Sequence, residues 1–283
     1  MIPTIPTSRA LNIIWTSYVA LFFVYLTLPL AVVAIFAFND SQFPSLPWQG
    51  FTLDWFFGRS APKIGVFHER KIMSAIGISA LVGAFAALLS VTVGTTNAFL
   101  FNRYKFRGRG ALYVLMLLPL VVPGIVLGIS VLVFSSNVAN TVWDAARINW
   151  EFLRPGLPLV VLGQFSFITT ITTLVISARL QKFDISLEEA ALNLGATRLT
   201  AVRTVTVPFL MPAIIGAGVV AFLMSFENFN TTLMLVGSDA PLTIAMFDRL
   251  KEGSTPLLNA VSLLIMLGSF LLALVLIAFQ KRS

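Results

Sequence analysis

Glu227 most demands a chemical explanation, because it is the lone charge in an otherwise apolar stretch that begins after Arg203. It stands nineteen residues past Pro208, so in a helix rising about 1.5 Å per residue it lies roughly 28 Å along, in the far half of a membrane-length segment. A carboxylate at membrane depth is costly and is usually found facing a cavity, a partner or a solute path. Asn228, Asn230, Thr231 and Thr232 surround it with hydrogen-bonding groups. Two roles are open to it: helping a cationic solute to pass, or a structural one, paired with a cation of a partner chain or lying at the outer interface. Pro119, Pro123 and Gly124 interrupt another apolar stretch. Prolines there free carbonyls that need other partners, as in broken helices that line solute paths; a packing kink is the alternative.

The rest of the chain offers little for catalysis. An intramembrane enzyme needs paired catalytic groups at membrane depth; only Glu227 is charged there, and HExxH, GxSxG and cysteine are all missing. No catalytic residue and no metal site is therefore expected. The absence of cysteine excludes disulfides and Cys-ligated zinc or iron–sulfur centres. The single histidine, His68, falls in a predicted loop without a second histidine, and reads as an ordinary loop residue. No GxxxxGK[ST] phosphate loop is present, so the chain is not expected to bind or hydrolyse ATP itself. An ion-gradient-driven secondary transporter, the alternative from another class, usually shows more spans, internal repeats and a proton-relay array, and none is visible.

The elements that must position these residues follow from composition. Of 283 residues 57% are hydrophobic and 11% charged, more apolar than a soluble fold of this size could hide. Six charge-free intervals are each long enough for the roughly 20 residues a spanning helix needs. Helices are predicted near 11–38, 72–101, 111–135, 156–180, 208–236 and 257–279, because a helix satisfies its own backbone in hydrocarbon. The strand-by-strand alternation of an outer-membrane barrel is absent. The first stretch is too long for a signal peptide and lacks a small-residue cleavage site, so it is expected to remain as the first helix. The fold class is thus an all-α integral membrane protein of about six transmembrane helices, read as one domain over 1–283. Segments 39–71 and 136–154 are predicted as outer loops with room for surface helices.

Loop charges set the expected orientation. One side carries 11 cations, among them Arg9, the dense Arg103, Lys105, Arg107, Arg109 loop, Lys281 and Arg282, against the acids Asp184, Glu188 and Glu189; the other carries 8 cations and 8 acids. By the positive-inside rule both termini belong in the cytoplasm. The basic balance then points to anionic lipid headgroups and not to nucleic acid. Trp15, Trp48, Trp55, Trp143 and Trp150 fall mainly at predicted interfaces and loops, as interfacial tryptophans do.

The loop 181–207 carries the most specific pattern. Ser186 can cap a helix in which Leu187, Ala190, Ala191 and Leu194 recur at helical spacing; Glu188, Glu189 and Asn193 take the other faces, and Glu189 completes a capping box. Gly195 ends or bends it, and a second short helix is predicted from near Thr197 to Pro208. Membrane-surface helices are usually rich in Lys and Arg, whereas this one sets acids beside small alanines, which suits docking into a partner groove.

Glu189-Ala190-Ala191, three residues, Gly195, nine residues, then Val205-Thr206-Val207-Pro208 resembles the EAA motif in permease subunits of binding-protein-dependent ABC importers, with Val205 and Val207 as conservative departures. In that family the motif forms a coupling helix seated in a cleft of the ATPase. The resemblance therefore implies an ATPase-coupling site at Glu188, Glu189, Ala190, Ala191, Leu194 and Gly195. It also implies a second permease subunit as heterodimer partner, two cytoplasmic ATPase subunits that use ATP and Mg, an extracytoplasmic solute-binding protein, and the bacterial inner membrane. The stretches 115–130, 186–197, 207–214, 225–237 and 241–262 further resemble the polyamine (spermidine/putrescine) permeases. Where those tend to carry Ser-Phe-Asp-Asp, this chain has Ser225-Phe226-Glu227-Asn228, keeping one acid and losing the other. Polyamines are then the expected substrate and Glu227, Asn228, Asn230, Pro119 and Pro123 the expected substrate-pathway residues. Iron, thiamine, sulfate and aminoethylphosphonate permeases share some of these features.

Overall fold

In chain order the helices are α1 (Arg9–Phe36), α2 (Asp54–Phe57), α3 (Arg70–Arg103), α4 (Arg109–Val121), α5 (Gly124–Ala146), α6 (Leu157–Leu180), α7 (Ser186–Asn193), α8 (Arg198–Ala201), α9 (Val207–Phe226), α10 (Asn230–Leu235), α11 (Leu242–Glu252) and α12 (Pro256–Gln280). A 3-10 turn, Glu151–Leu153, precedes α6, and a π turn, Val202–Thr206, joins α8 to α9. The computed structural model describes residues 9–253 and 255–280; Lys281 and Arg282, counted with the cytoplasmic cations, lie outside the described residues. Six helical segments among the described residues are long and apolar enough to cross a membrane: Arg9–Phe36, Arg70–Arg103, Gly124–Ala146, Leu157–Leu180, Arg198–Phe226 and Pro256–Ala278. The all-α membrane fold expected from the sequence is the one found.

Two expected spans are interrupted. The stretch 111–135 is two helices, because Pro123 cannot donate an N–H to the preceding turn and the residue before it is driven to extended backbone: Val122 has ψ 128°. After this break α5 runs on to Ala146, so 136–146 is helix and not loop. The stretch 208–236 is likewise divided, with Glu227 to Phe229 leaving helical geometry between α9 and α10.

The chain divides into two units, Met1–Arg70 with Arg249–Gly268, and Lys71–Asp248 with Ser269–Ser283. In the first unit none of α1 is buried, as suits a helix whose apolar surface meets lipid or another chain. The segment after α1 is a folded cap and not an open loop. Asn39 is fully buried; its side chain accepts from Gln49 N at 3.0 Å and its carbonyl accepts from the Trp55 indole at 2.9 Å. Phe38 stacks on Phe51 at 5.2 Å, and Lys63 pairs with Asp40.

In the second unit α6 is the central element, with 61% of its most apolar window buried. Between helices in lipid there is no water to expel, so association rests on close packing of small residues and on interhelical hydrogen bonds. The buried hydroxyls of α6 follow that rule. Thr172 donates to the Ser90 carbonyl of α3 at 2.7 Å, and Thr170 to the Met116 carbonyl of α4 at 2.6 Å. A Cβ at Gly94 would meet the Thr172 side chain and lie 3.0 Å from Thr173 N, so glycine sets the α3–α6 distance. Apolar packing completes the interfaces, with Val82, Ala86, Leu159, Ile168, Ala221 and Leu235 in one cluster and Ala98, Ile176, Leu180, Leu210 and Ala217 in another.

Candidate functional site

The short helix α7 forms where the sequence places it, but its cap is different. Ser186 lies inside the first turn, and the Asp184 carboxylate, two residues earlier, accepts from Ser186 N at 3.0 Å. The capping box with Glu189 is not formed: at the helix start the chain is already right-handed at Ile185, so the acceptor must reach forward from further back. The Ser186 backbone N–H and hydroxyl hold the Asp184 carboxyl below its ordinary range. This depressed pKa means the cap is intact above the ordinary carboxylate pKa and is lost as pH falls through the folded value. The other end is a Schellman closure: Ala196 N donates to Ala191 O at 3.1 Å and Gly195 N to Leu192 O at 2.9 Å. Gly195 sits at φ +91° in open space, a conformation that glycine adopts without strain. Thr197 then caps α8 by accepting from Thr200 N at 3.2 Å.

The polarity of α7 is inverted relative to its own bundle. Leu187 is 51% and Leu194 89% exposed, with Ala190 exposed and Ala191 half-buried beside them, so the apolar face points away from the protein. Glu189 is exposed with it. Glu188 turns inward, where its oxygens accept two hydrogen bonds from the Arg103 guanidinium, at 2.9 and 3.0 Å, and a third from the Thr206 hydroxyl. The two acids that look alike in sequence thus have opposite surroundings. Arg103, which sequence reasoning used only as a loop charge, and Thr206, which it treated as a spacer inside the motif, are the residues it missed. No local signal could reveal them, since Arg103 lies 85 positions from its partner.

At the far end of α9 the two helix breaks meet. Asn230 opens α10, and a Cβ on Gly124 would lie 3.1 Å from its Cβ; Thr231 donates to the Gly124 carbonyl at 3.2 Å. At Gly128 an added Cβ would come 2.9 Å from Met234 Cβ, so α10 and α5 touch through two glycines a turn apart. Asn228 holds the turn between α9 and α10, its Oδ1 accepting from Thr232 N at 3.2 Å and Thr232 Oγ1 at 3.0 Å. Beneath it Gln164 of α6, only 1% exposed, donates to Thr232 Oγ1 at 2.8 Å and accepts from the Ser225 hydroxyl. The predicted residues Asn228, Asn230 and Glu227 therefore share one turn, next to the break at Val122 and Pro123. Pro119 lies inside α4, half-buried, four residues before Pro123. Glu227 caps α9 with an exposed side chain, and among the described residues its carboxylate has no hydrogen-bond or ion-pair partner. Gln164 is the residue here that the sequence did not suggest.

Residues 90–283 match the family described as the binding-protein-dependent transport system inner membrane component. The chain belongs to that family. The matched region contains both α7 and the α9–α10 turn, so this permease carries its candidate residues within the family's shared part. Over 247 residues it is 31% identical to the putrescine transport system permease protein PotI of Escherichia coli, covering 86% of this chain and 82% of that one. To the spermidine/putrescine transport system permease protein PotC of Haemophilus influenzae it is 26% identical over 251 residues, 88% and 90% of the two chains. Its fold matches the crystal structure of a bacterial ABC transporter involved in the import of the acidic polysaccharide alginate, with a TM-score of 0.76 at 19% identity over 96% of this chain and 95% of the other. The permease is accordingly a multi-pass inner-membrane subunit of a binding-protein-dependent ABC importer.

Proposed function

We propose that the permease forms half of the translocation pathway for polyamines, with a second permease subunit supplying the other half. The observation that carries the substrate class is the Glu227 carboxylate, which among the described residues has no partner and stands at a helix break it shares with Asn228 and Asn230, an arrangement suited to a passing ammonium group. The names of the relatives, putrescine and spermidine/putrescine permeases, support the same class. On this reading α7 seats its outward apolar face in one of two cytoplasmic ATPase subunits, which use ATP and Mg, and the opposite face receives the binding protein. Both termini are cytoplasmic.

An ammonium within a few ångströms of Glu227 in a partly dry path gains about 1–3 kcal/mol net of desolvation. Glu227→Gln keeps the volume and removes the charge. Putrescine uptake by the assembled importer in proteoliposomes should fall roughly ten- to a hundredfold, since about 1.4 kcal/mol is a factor of ten, while the subunits still co-purify. Unchanged uptake with intact assembly removes Glu227 from the pathway. Loss of assembly instead assigns the carboxylate to a cation of the second permease.

A further inference from the structure

The Glu188 carboxylate is the place where α7 is tied by side-chain polar contacts to the membrane-crossing helices. Its bidentate partner, Arg103, is the last residue of α3, and its third donor, Thr206, closes the π turn that opens into α9. The Arg103 and Glu188 side chains are only 20% and 15% exposed, and Thr206 is fully buried, so the junction is shielded far more than a surface ion pair. A two-pronged guanidinium–carboxylate contact fixes angle as well as distance, which a single charge pair does not. The Arg103 guanidinium also lies 5.4 Å over the Phe183 ring, which meets Phe209 of α9 edge-on at 5.2 Å.

The π turn sets this contact at the base of α9. Val207 N donates to Val202 O across five residues, a wider turn that accommodates Pro208, whose ring and missing N–H disfavour a regular helix there. From Val207, α9 runs for 20 residues with Pro212 inside it, about 30 Å, and is capped by Glu227. A displacement of α7 therefore reaches α3 through one carboxylate, which also ties it to the base of α9 beside the chain connection through α8.

We infer that the Arg103–Glu188–Thr206 junction is the link that passes movement of α7 to α3 and α9, with Arg103 and Thr206 as positioning residues for coupled transport. This rests on the reading of α7 as the ATPase-docking helix. The junction is not part of the docking face, because Glu188 points into the bundle while Leu187 and Leu194 point out.

The test uses the complete importer in proteoliposomes, with basal ATP hydrolysis, hydrolysis stimulated by the liganded binding protein, and ATPase co-purification all measured. Arg103→Lys keeps the charge but loses the two-pronged geometry, and Thr206→Val removes the third donor. Both should leave co-purification and basal hydrolysis within about twofold while stimulation falls at least about fivefold for Arg103→Lys and about twofold for Thr206→Val. The exchange Arg103→Glu with Glu188→Arg should recover part of the stimulation that Arg103→Glu alone abolishes, which shows that the two side chains act as a pair. Unchanged stimulation in Arg103→Lys, or loss of co-purification in step with it, overturns the inference. Leu194→Asp, on the outward face, tests the underlying reading separately. If the ATPase still co-purifies with that variant, α7 is not the docking helix and the junction loses its role; if it is lost while Arg103→Lys is stimulated normally, docking stands and the junction alone fails.

Discussion

Gln164 shows how a residue with no charge can decide the shape of a site. It is buried at membrane depth, where no water replaces a lost partner, and both ends of its amide are used, by Thr232 and by Ser225. Hydrogen bonds between membrane helices average about 0.6 kcal/mol, whereas stranding a buried hydroxyl costs about 1–3 kcal/mol. Gln164→Leu, similar in volume, strands the Ser225 hydroxyl and leaves Thr232 bonded to Asn228 alone, and should destabilise the permease by about 1–3 kcal/mol, read as a lower unfolding temperature in detergent. An unchanged transition would show that Asn228 holds the α9–α10 turn without it. Among the described residues Glu227 takes no part in this network. What it needs is the turn that lets it leave the helix, which Asn228 and Gln164 supply.

Among the elements, α7 is too short to be stable by propensity alone, since isolated helices below about 12–15 residues are marginal in water. Its eight residues are held by the Asp184 cap, the Gly195 closure and Glu188. Gly195→Pro attacks the second of these, because proline is fixed near φ −65° and has no N–H for Leu192 O, whereas the site requires +91°. Binding-protein-stimulated ATP hydrolysis should be lost, with membrane insertion intact. Gly195→Asn, a residue that visits left-handed backbone at modest cost, should retain most of it. If the proline variant couples normally, the geometry of this closure has no part in coupling. The same logic separates α9 from α10 and α4 from α5: in each case a backbone break is stabilised by side chains from another helix.

For the molecule as a whole, the contact of Arg103 with Glu188 places the loop 104–108 and α7 at one end of the second unit. On the orientation proposed from the charge census, that end faces the cytoplasm. Because the chain contains no cysteine, single cysteines report topology without interference. Arg107→Cys and Lys182→Cys should react with a thiol reagent only after the membrane is opened, and Lys63→Cys and Arg147→Cys should react from outside in intact cells. Labelling of Arg107→Cys from outside would reverse the proposed orientation and detach α7 from any cytoplasmic ATPase. The apolar α1, none of whose residues is buried, is compatible with lipid or with the second permease.

Hydropathy alone determined the fold class and most of the spans, because a bilayer punishes an unpaired backbone so heavily that a long apolar stretch has few alternatives to helix. Spans predicted at 72–101, 156–180 and 257–279 lie within about two residues of α3, α6 and α12. The helix at 186–193 and its glycine stop were also legible, since a positive-φ closure is local chemistry, although its cap comes from Asp184 and not from Ser186. The sequence also proposed Glu227, Asn228 and Asn230 as a group, and the structure sets them in one turn. What only the tertiary structure decided was contact across the chain: that Glu188 faces inward and Glu189 outward, that Arg103 reaches Glu188, that Gln164 lies beneath Asn228, and that two breaks meet at Gly124 and Thr231. Adjacent glutamates have the same composition, charge and propensity. Only the position of a guanidinium 85 residues away distinguishes them, and that position depends on how α3 packs against α6 through Gly94 and Thr172.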